Sequence, residues 1–435
     1  MMTDRTRRSF VTAVVSAGAL GSAGCLSNVS GRDGSNGSRP AESSPNAVED
    51  ANGDVDGDGN ETAAERPDLP GERIASFEPL DDWVSMIDAG TLEAATDDPY
   101  AGTQSARLRA DDAEYAAVYT TNPHGIDLRE SNLSLAVKAA EREQLQLTLE
   151  LLAPDHRNAV ALRRTLIGPT DRWVRVDFGT GRVEGEPSLA DVREIRLSVR
   201  PRGDSTGPVD CRVDDLRAVD RPETGKVLLL FDGTLESHHS VALERLSEHG
   251  FAGVEAIIPE AVGETRSGRL TREQLDDLAD AGWDLAARPR TGARSLADYA
   301  PDEQAELIRR TKAYLETNGF EDGADYFVAP RNVVGPNTMD LVEDHHEGAF
   351  RFGGAPNALP VTDPHNLGFF SGAEGDVTKE YVDRAAEFGQ LAVLHFEHVG
   401  DDGLSERAFA DLLEHVDRAD VDVVTATELL DHDRN

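Results

Sequence analysis

At 435 residues the chain is too long for one ordinary domain and long enough for two separate cores. Its 82 acidic residues against 43 basic ones leave a net charge of −39 at pH 7, which speaks against nucleic acid as a partner. Cysteine occurs only at 25 and 211, so no disulfide framework organises the fold.

The first 25 residues read as an address. Arg7-Arg8, flanked by Thr6 and Ser9-Phe10-Val11, form a twin-arginine pattern, and 11–22 make a short, weakly apolar core. Ser22-Ala23-Gly24-Cys25 then has the form of a lipobox, with Cys25 as the lipidation site. An apolar run of about a dozen residues is too short to span a bilayer. The expected destination is the outer face of the cytoplasmic membrane, reached by twin-arginine export and held by a lipid anchor.

Residues 26–72 hold Ser, Gly, Asp, Asn, Ala and Pro with few large apolar side chains, and read as a disordered acidic linker. Within it Asp54, Asp56, Asp58-Gly59 and Glu65 fit a calcium-loop spacing. No helical pattern flanks that stretch, and Glu61 stands where such loops carry an aliphatic residue, so it is read as solvated linker. Asn28, Asn36, Asn60 and Asn132 lie in N-x-S/T sequons.

Over 73–220 the hydrophobic period becomes two. Segments 105–110, 113–120, 133–138, 144–152, 160–165, 172–178, 194–199 and 211–219 alternate, with Gly, Pro, Asp and Asn between them. Many short strands without a long helix predict a β-sandwich. The closing pair, Arg193–Val199 and Val213–Val219, resembles the last strands of jelly-roll carbohydrate-binding modules. Trp83, Tyr100, Tyr115, Tyr119 and Trp173 are candidates for sugar stacking or for packing. Cys211 is expected to be a small buried hydrophobe.

From 224 to 431 strands and helices alternate. The run Lys226-Val-Leu-Leu-Leu-Phe-Asp232-Gly233 reads as a strand buried on both faces, ending in an acid on the C-terminal rim of a parallel sheet. Further strands are expected at 252–258, 284–287, 326–329, 349–352, 367–370, 391–396 and 421–425. Helices are expected at 237–250, 271–281, 301–318, 337–345, 379–388 and 405–416. Seven or eight such units predict an α/β fold, a distorted (β/α)7-8 barrel. The turn-rich run 220–225 separates it from the preceding module. No glycine-rich phosphate loop follows its first strand, which speaks against a nucleotide site.

This half resembles the polysaccharide deacetylase (NodB-homology) family, and the resemblance covers roughly half of the chain. Leu230-Phe231-Asp232-Gly233-Thr234 stands where the family has T-F-D-D-G, and Gly282-Trp283-Asp284-Leu285 opens its second motif. Phe327-Val-Ala-Pro330-Arg331 with Asn337 matches the third, and Leu391-Ala-Val-Leu-His395 the strand that ends in histidine. The resemblance implies hydrolysis of amide C–N bonds in N-acetylated sugars. One Asp and two His hold a divalent metal such as zinc, a second Asp is general base, and the strand-end His is general acid. Carried over, Asp232 is the base and His395 the acid. Gly233 then stands in place of the metal-binding Asp, or, if one residue is lost, Asp232 is the ligand and the base is missing. The metal histidines fall on Arg288 and on Gly292 or Arg290, none of which ligates. No metal or other cofactor is therefore expected. The lysine-poor acidic composition also resembles proteins of salt-loving archaea.

Other groups lie nearby. His395 and Glu397 share a strand face and are placed to meet Asp232 as an acid–base cluster. His238, His239 and His398 are read as solvated loop residues, and His345-His346 as surface. Arg288, Arg290, Pro330 and Glu397 form the candidate substrate-binding set. Two readings of Arg288 stand: it binds an anionic group such as a uronate carboxylate or a sulfate, or it pairs with Asp232 as an inert ion pair. Two functions stand as well: a glycan deacetylase, or a glycan-binding or scaffold protein on a retired enzyme fold.

Overall fold

A computed structural model describes residues 69–432 apart from 112, 141–143, 204–206 and 401–402. The export signal with Cys25, the calcium-loop pattern and the sequons at Asn28, Asn36 and Asn60 lie outside the described residues, as does most of the 26–72 linker. Among the described residues no helix is long and apolar enough to cross a membrane.

Eight long strands form where the period-two segments stand: Ser105–Ala110, Ala116–Ile126, Ser131–Ala139, Gln144–Asp155, Asn158–Ile167, Val174–Glu184, Val192–Pro201 and Val209–Asp220. The short strands Glu72–Ala75, Val84–Ser85 and Thr91–Ala95 join them in one eleven-stranded antiparallel sheet. Strand Val174–Glu184 turns that sheet over. Its first half, to Phe178, pairs with Ser131–Ala139, and its second half pairs with Asn158–Ile167 from Gly179 onward. The two wings share one apolar core, with Leu145, Leu147 and Leu149 on one side and Leu133, Leu135 and Val137 on the other. Cys211 lies fully buried in it, and burial pushes its thiol upward. Trp83 is buried against Phe77 with ring centroids 5.0 Å apart. Trp173 packs edge-on to Tyr100 and donates to the Asp98 carbonyl at 3.1 Å. Trp83 is a core residue and Trp173 is half-buried.

The second region is a closed barrel of seven parallel strands: Gly225–Asp232, Val254–Ile257, Asp284–Ala287, Tyr326–Val328, Gly348–Phe352, Leu367–Ser371 and Gln390–Phe396. The seventh pairs with the first, Lys226 opposite Leu391 through Phe231 opposite Phe396, and closes the ring. The eighth expected strand, Val421–Val423, pairs with the start of the first strand and takes no part in closure. Alternation sorts the side chains into two layers. Leu228, Leu230, Val254, Ala256, Ala286, Phe350, Leu391 and Val393 fill the barrel interior. Val227, Leu229, Phe231, Leu285, Leu394 and Phe396 meet the surrounding helices.

The two regions meet through a buried polar seam, which the turn-rich boundary at 220–225 did not announce. Arg164, from the antiparallel sheet, is 1% exposed and reaches Asn357 Oδ1 at 2.7 Å, Asn366 Oδ1 at 3.1 Å and the Asn366 carbonyl of the barrel. Barrel Arg351 donates to the same Asn366 oxygen at 2.7 Å and reaches back to the Gly168 carbonyl at 2.5 Å. A side chain at Gly368 would collide with the Arg164 guanidinium, so this strand position must be glycine. Burial lowers both cations, Arg164 to about 10 and Arg351 to about 9, and both stay charged at neutral pH. Asn132 is also in the seam. Its amide donates to the Leu359 and Gly389 carbonyls, 2.9 Å each, and its oxygen accepts from Gln390. The sequon at Asn132 is therefore corrected: at 4% exposure it offers no glycan site.

Arg164→Ala strips a dry seam of its donor and leaves several buried acceptors unsatisfied, at an expected loss of about 3 kcal/mol. Guanidinium unfolding of the intact protein in molar salt should show one transition, with its midpoint lowered by this change. Two separated transitions, only one of which moves, would mean that the regions fold independently.

Candidate functional site

The inward rows of the barrel strands decide what reaches its mouth. Asp232 continues the row Leu228, Leu230; Arg288 follows Ala286; and His395 follows Leu391, Val393. The three converge. Arg288 Nε is in ionic contact with Asp232 Oδ1, and His395 Nε2 lies 3.4 Å from Asp232 Oδ2. All three are largely enclosed, Asp232 at 11%, His395 at 12% and Arg288 at 20% side-chain exposure. Burial would raise the Asp232 carboxyl, but Arg288 and His395 outweigh it and hold it below the usual carboxylate range. His395 is further fixed by stacking on Phe369, with centroids 4.2 Å apart and planes 11° from parallel. Of the two readings of Arg288, the geometry shows the pair with Asp232.

The other expected site residues surround this centre. Arg290 is exposed and donates to the Glu260 carbonyl at 3.1 Å and to Glu264 at 3.2 Å. Pro330 is buried above the fourth strand and starts a tight turn in which Arg331 and Asn332 are left-handed, φ 58° and 63°. Arg331 Nε donates to the Gly292 carbonyl at 3.0 Å. Glu397 lies beyond the end of the seventh strand, is exposed, and makes no ion pair with Asp232 or His395 among the described residues. The expected three-membered acid–base cluster is thus a pair, because the strand stops at Phe396 and the inward row stops with it. Asn337 is away from the mouth, on helix Pro336–His345, 3.3 Å from Gln304.

Two histidine readings are corrected. His238 is fully buried: its Nδ1 lies 2.7 Å from Glu255 Oε2 and its Nε2 2.8 Å from the Glu397 carbonyl. Nε2 faces a carbonyl and donates to it, while Nδ1 and the Glu255 carboxyl, itself pushed upward by burial, share a proton. Burial opposes the charged ring, but Glu255 outweighs it and holds the ring above its ordinary value. The second Glu255 oxygen accepts from Thr234 N–H at 3.0 Å. This strut ties the turn after the first strand to the second strand and to the end of the seventh, directly behind Asp232 and His395. The chain near His238 is a π-helical turn, His238–Leu243, leading into Glu244–His249. One signal was present in sequence: Glu255 is a lone carboxylate inside an apolar strand and requires a buried partner. His346 is the other correction. It is 4% exposed, with Nδ1 3.0 Å from the Ala324 carbonyl, and burial together with Lys312 pushes it down to about 3.

The residues present do not fit a divalent metal at this mouth. The neighbour of Asp232 is a guanidinium, and Gly233 has φ 124°, which L side chains rarely adopt. Gly292 faces open space. Among the described residues no three His, Cys, Asp or Glu side chains are grouped to hold a metal.

The sequence matches no protein-family model and no curated protein. Structural neighbours over about half the chain are CE4 family polysaccharide deacetylases. They include the Xyl-CE4 domain of a multidomain xylanase from the hindgut metagenome of Trinervitermes trinervoides, at 15% identity and TM-score 0.36, covering 48% of this chain and 92% of that one. A CE4 family pseudoenzyme from Bacillus anthracis is similar at 15% identity and TM-score 0.36, covering 48% of this chain and 66% of that one. Carbohydrate-binding modules of the β-sandwich superfamily are similar at 11% identity and TM-score 0.27, over 35% of this chain and 63% of that one. Likeness of this degree assigns no residue and no activity to this chain.

The His238–Glu255 strut sets a pH test. Both groups are shifted upward, so the folded chain holds their protons more tightly than the unfolded one. The stabilisation from His238 is complete below its ordinary value of 6.5 and is lost as pH rises through the folded value. His238→Gln should lower unfolding stability most at or below that pH, with the deficit shrinking as pH rises. A deficit that does not change with pH would assign the histidine to packing alone.

Proposed function

We propose that the barrel mouth binds glycan without the divalent metal that its sequence motifs imply, on a deacetylase-type barrel no longer committed to metal-assisted hydrolysis. The observation that carries this reading is the contact of Arg288 with Asp232: a fixed positive charge stands beside the carboxylate that ends the first strand. A lone carboxylate beside a guanidinium is not a zinc site, which needs about four N, S or O donors. The motif order around Asp232, Gly282, Pro330 and His395 supports the polysaccharide deacetylase family and a carbohydrate ligand. We read the antiparallel region as a jelly-roll-like sandwich of carbohydrate-binding type, and 73–220 and 224–431 as the extents of the two regions. The 3.4 Å approach of His395 to Asp232 favours a second reading, metal-free amide hydrolysis. In it Asp232 takes a proton from water as the hydroxide adds to the acetamide carbon, and His395 protonates the departing amine as the C–N bond breaks. Against it, a carboxylate held below its ordinary range is a weak base at neutral pH.

Purified protein should carry well under one equivalent of zinc, cobalt or nickel. Chelator should leave its melting temperature unchanged, and acetate release from chito-oligosaccharides should not exceed that of Asp232→Ala. Stoichiometric metal with chelator-sensitive acetate release would overturn the reading. Acetate release that is chelator-insensitive and lost in Asp232→Ala would establish the metal-free hydrolase instead.

The N-terminal pattern supports a cell-surface lipoprotein, exported by the twin-arginine route and anchored through Cys25. Lysines in place of Arg7 and Arg8 should block export, and Cys25→Ser should move the mature protein from the membrane fraction to the medium. Retention of Cys25→Ser in the membrane would reject the anchor.

A further inference from the structure

The cleft beside Asp232 inverts the charge of the chain around it. Its cavity of about 350 Å³ is walled by Arg269, Arg288, Arg290 and Arg331 against the carboxylates of Asp232 and Glu397. Arg288 is paired with Asp232 and Arg290 with Glu264, which leaves Arg269 and Arg331 against Glu397, a local excess of positive charge in a chain of net charge −39. We propose that this cleft recognises an oxyanion carried on a sugar ring, a carboxylate or a sulfate ester, so that the glycan bound is an acidic one. The proposal rests on the metal-free reading of the mouth and names the ligand class for it.

Three features make the wall a receptor. The arginines are held from behind: Arg269 by the Gly233 carbonyl, Arg331 through Nε by the Gly292 carbonyl, and Arg290 by the Glu260 carbonyl and Glu264. A guanidinium anchored by one edge keeps further N–H donors in a fixed plane, the arrangement that grips a carboxylate or sulfate by two oxygens. Neither Nη group of Arg331 carries a hydrogen bond among the described residues. Next, Arg331 and Asn332 sit in left-handed backbone, an unfavourable conformation for residues with side chains, which sets Arg331 on the rim of the cleft. Finally, the cleft adjoins a second cavity of about 730 Å³ that shares Glu397 and His398 and is lined by Phe352, Phe369 and His395. A saccharide can lie with rings along that more apolar side and its oxyanion among the arginines.

The test is calorimetric titration of the intact mature protein in molar potassium chloride, with and without chelator. The probes are a galacturonate trimer, a sulfated trisaccharide, neutral chitotriose and free sulfate. At least one acidic trisaccharide should bind at least about tenfold more tightly than chitotriose, whether or not chelator is present. The two acidic probes distinguish carboxylate from sulfate recognition. Arg331→Gln and Arg290→Gln should each weaken acidic binding several-fold. Arg331→Lys, which keeps charge without the fork, should restore little, and Arg309→Gln, an exposed arginine bonded to Ala305 and Glu306 of its own helix, should change nothing. Arg290 is exposed, so its variant tests the idea even if Arg331→Gln fails to fold. Equal binding of neutral and acidic probes, or acidic binding that survives Arg290→Gln and Arg331→Lys, would overturn the proposal; so would free sulfate matching the acidic trisaccharides, which marks a simple ion site. Loss of binding in chelator would sink the metal-free reading instead, which separates the two failures.

Discussion

A carboxylate at the end of the buried apolar run Val227–Phe231 has to be neutralised, and Arg288 is what neutralises Asp232. Much of the mouth follows from that pairing. Since the compensating charge is covalently attached just past the end of the third strand, no cation from solution is needed to keep Asp232 ionised. The same contact keeps the carboxyl low and makes it a poor proton acceptor at neutral pH. Arg269, Arg290 and Arg331 line the same cleft.

The same rule is applied elsewhere in the molecule with different partners. His238 and Glu255 neutralise each other in the layer between strands and helices, and each uses its second polar atom on a backbone group, the Glu397 carbonyl and the Thr234 N–H. Among the described residues Arg164 and Arg351 have no direct carboxylate partner, and they are held by amide and carbonyl oxygens shared across the seam. Asp177, on the antiparallel side, is held by Thr362 of the barrel through its N–H at 2.9 Å and its hydroxyl. Hydrogen bonds of this kind stabilise less by their own strength than by the cost of breaking them. They make the two regions sensitive to each other in a way that a greasy contact would not.

Local pattern carried most of the architecture. Strand 284–287 falls where the sequence placed it, and the inward row that ends in Asp232 and His395 follows from alternation alone. What was illegible is non-local. Nothing near Asn132 in sequence reveals that Leu359 and Gly389 cover it, and nothing around Arg164 points to Asn366. Glu397 was misplaced because alternation continues on paper where the strand has ended. Arg331 was missed because a left-handed arginine has no sequence signature; proline before it marks the turn but not its hand. The short strand Val84–Ser85 has only two residues, below any period that could be read.

The chain's acidity bears on how such a cleft works. In molar salt the Debye length is about 3 Å, so a positive wall inside a negative protein neither attracts an anion from a distance nor is cancelled by the surface around it. Only groups at contact distance count. A flexible ammonium, solvated and surrounded by competing chloride, discriminates poorly under those conditions; a planar guanidinium fixed by a backbone carbonyl still matches two oxygens at a set spacing. Lysine is nearly absent from this chain, and none of its four lysines lines the cleft. The backbone anchors at Gly233, Glu260 and Gly292 hold three guanidinium groups in place without relying on long-range charge.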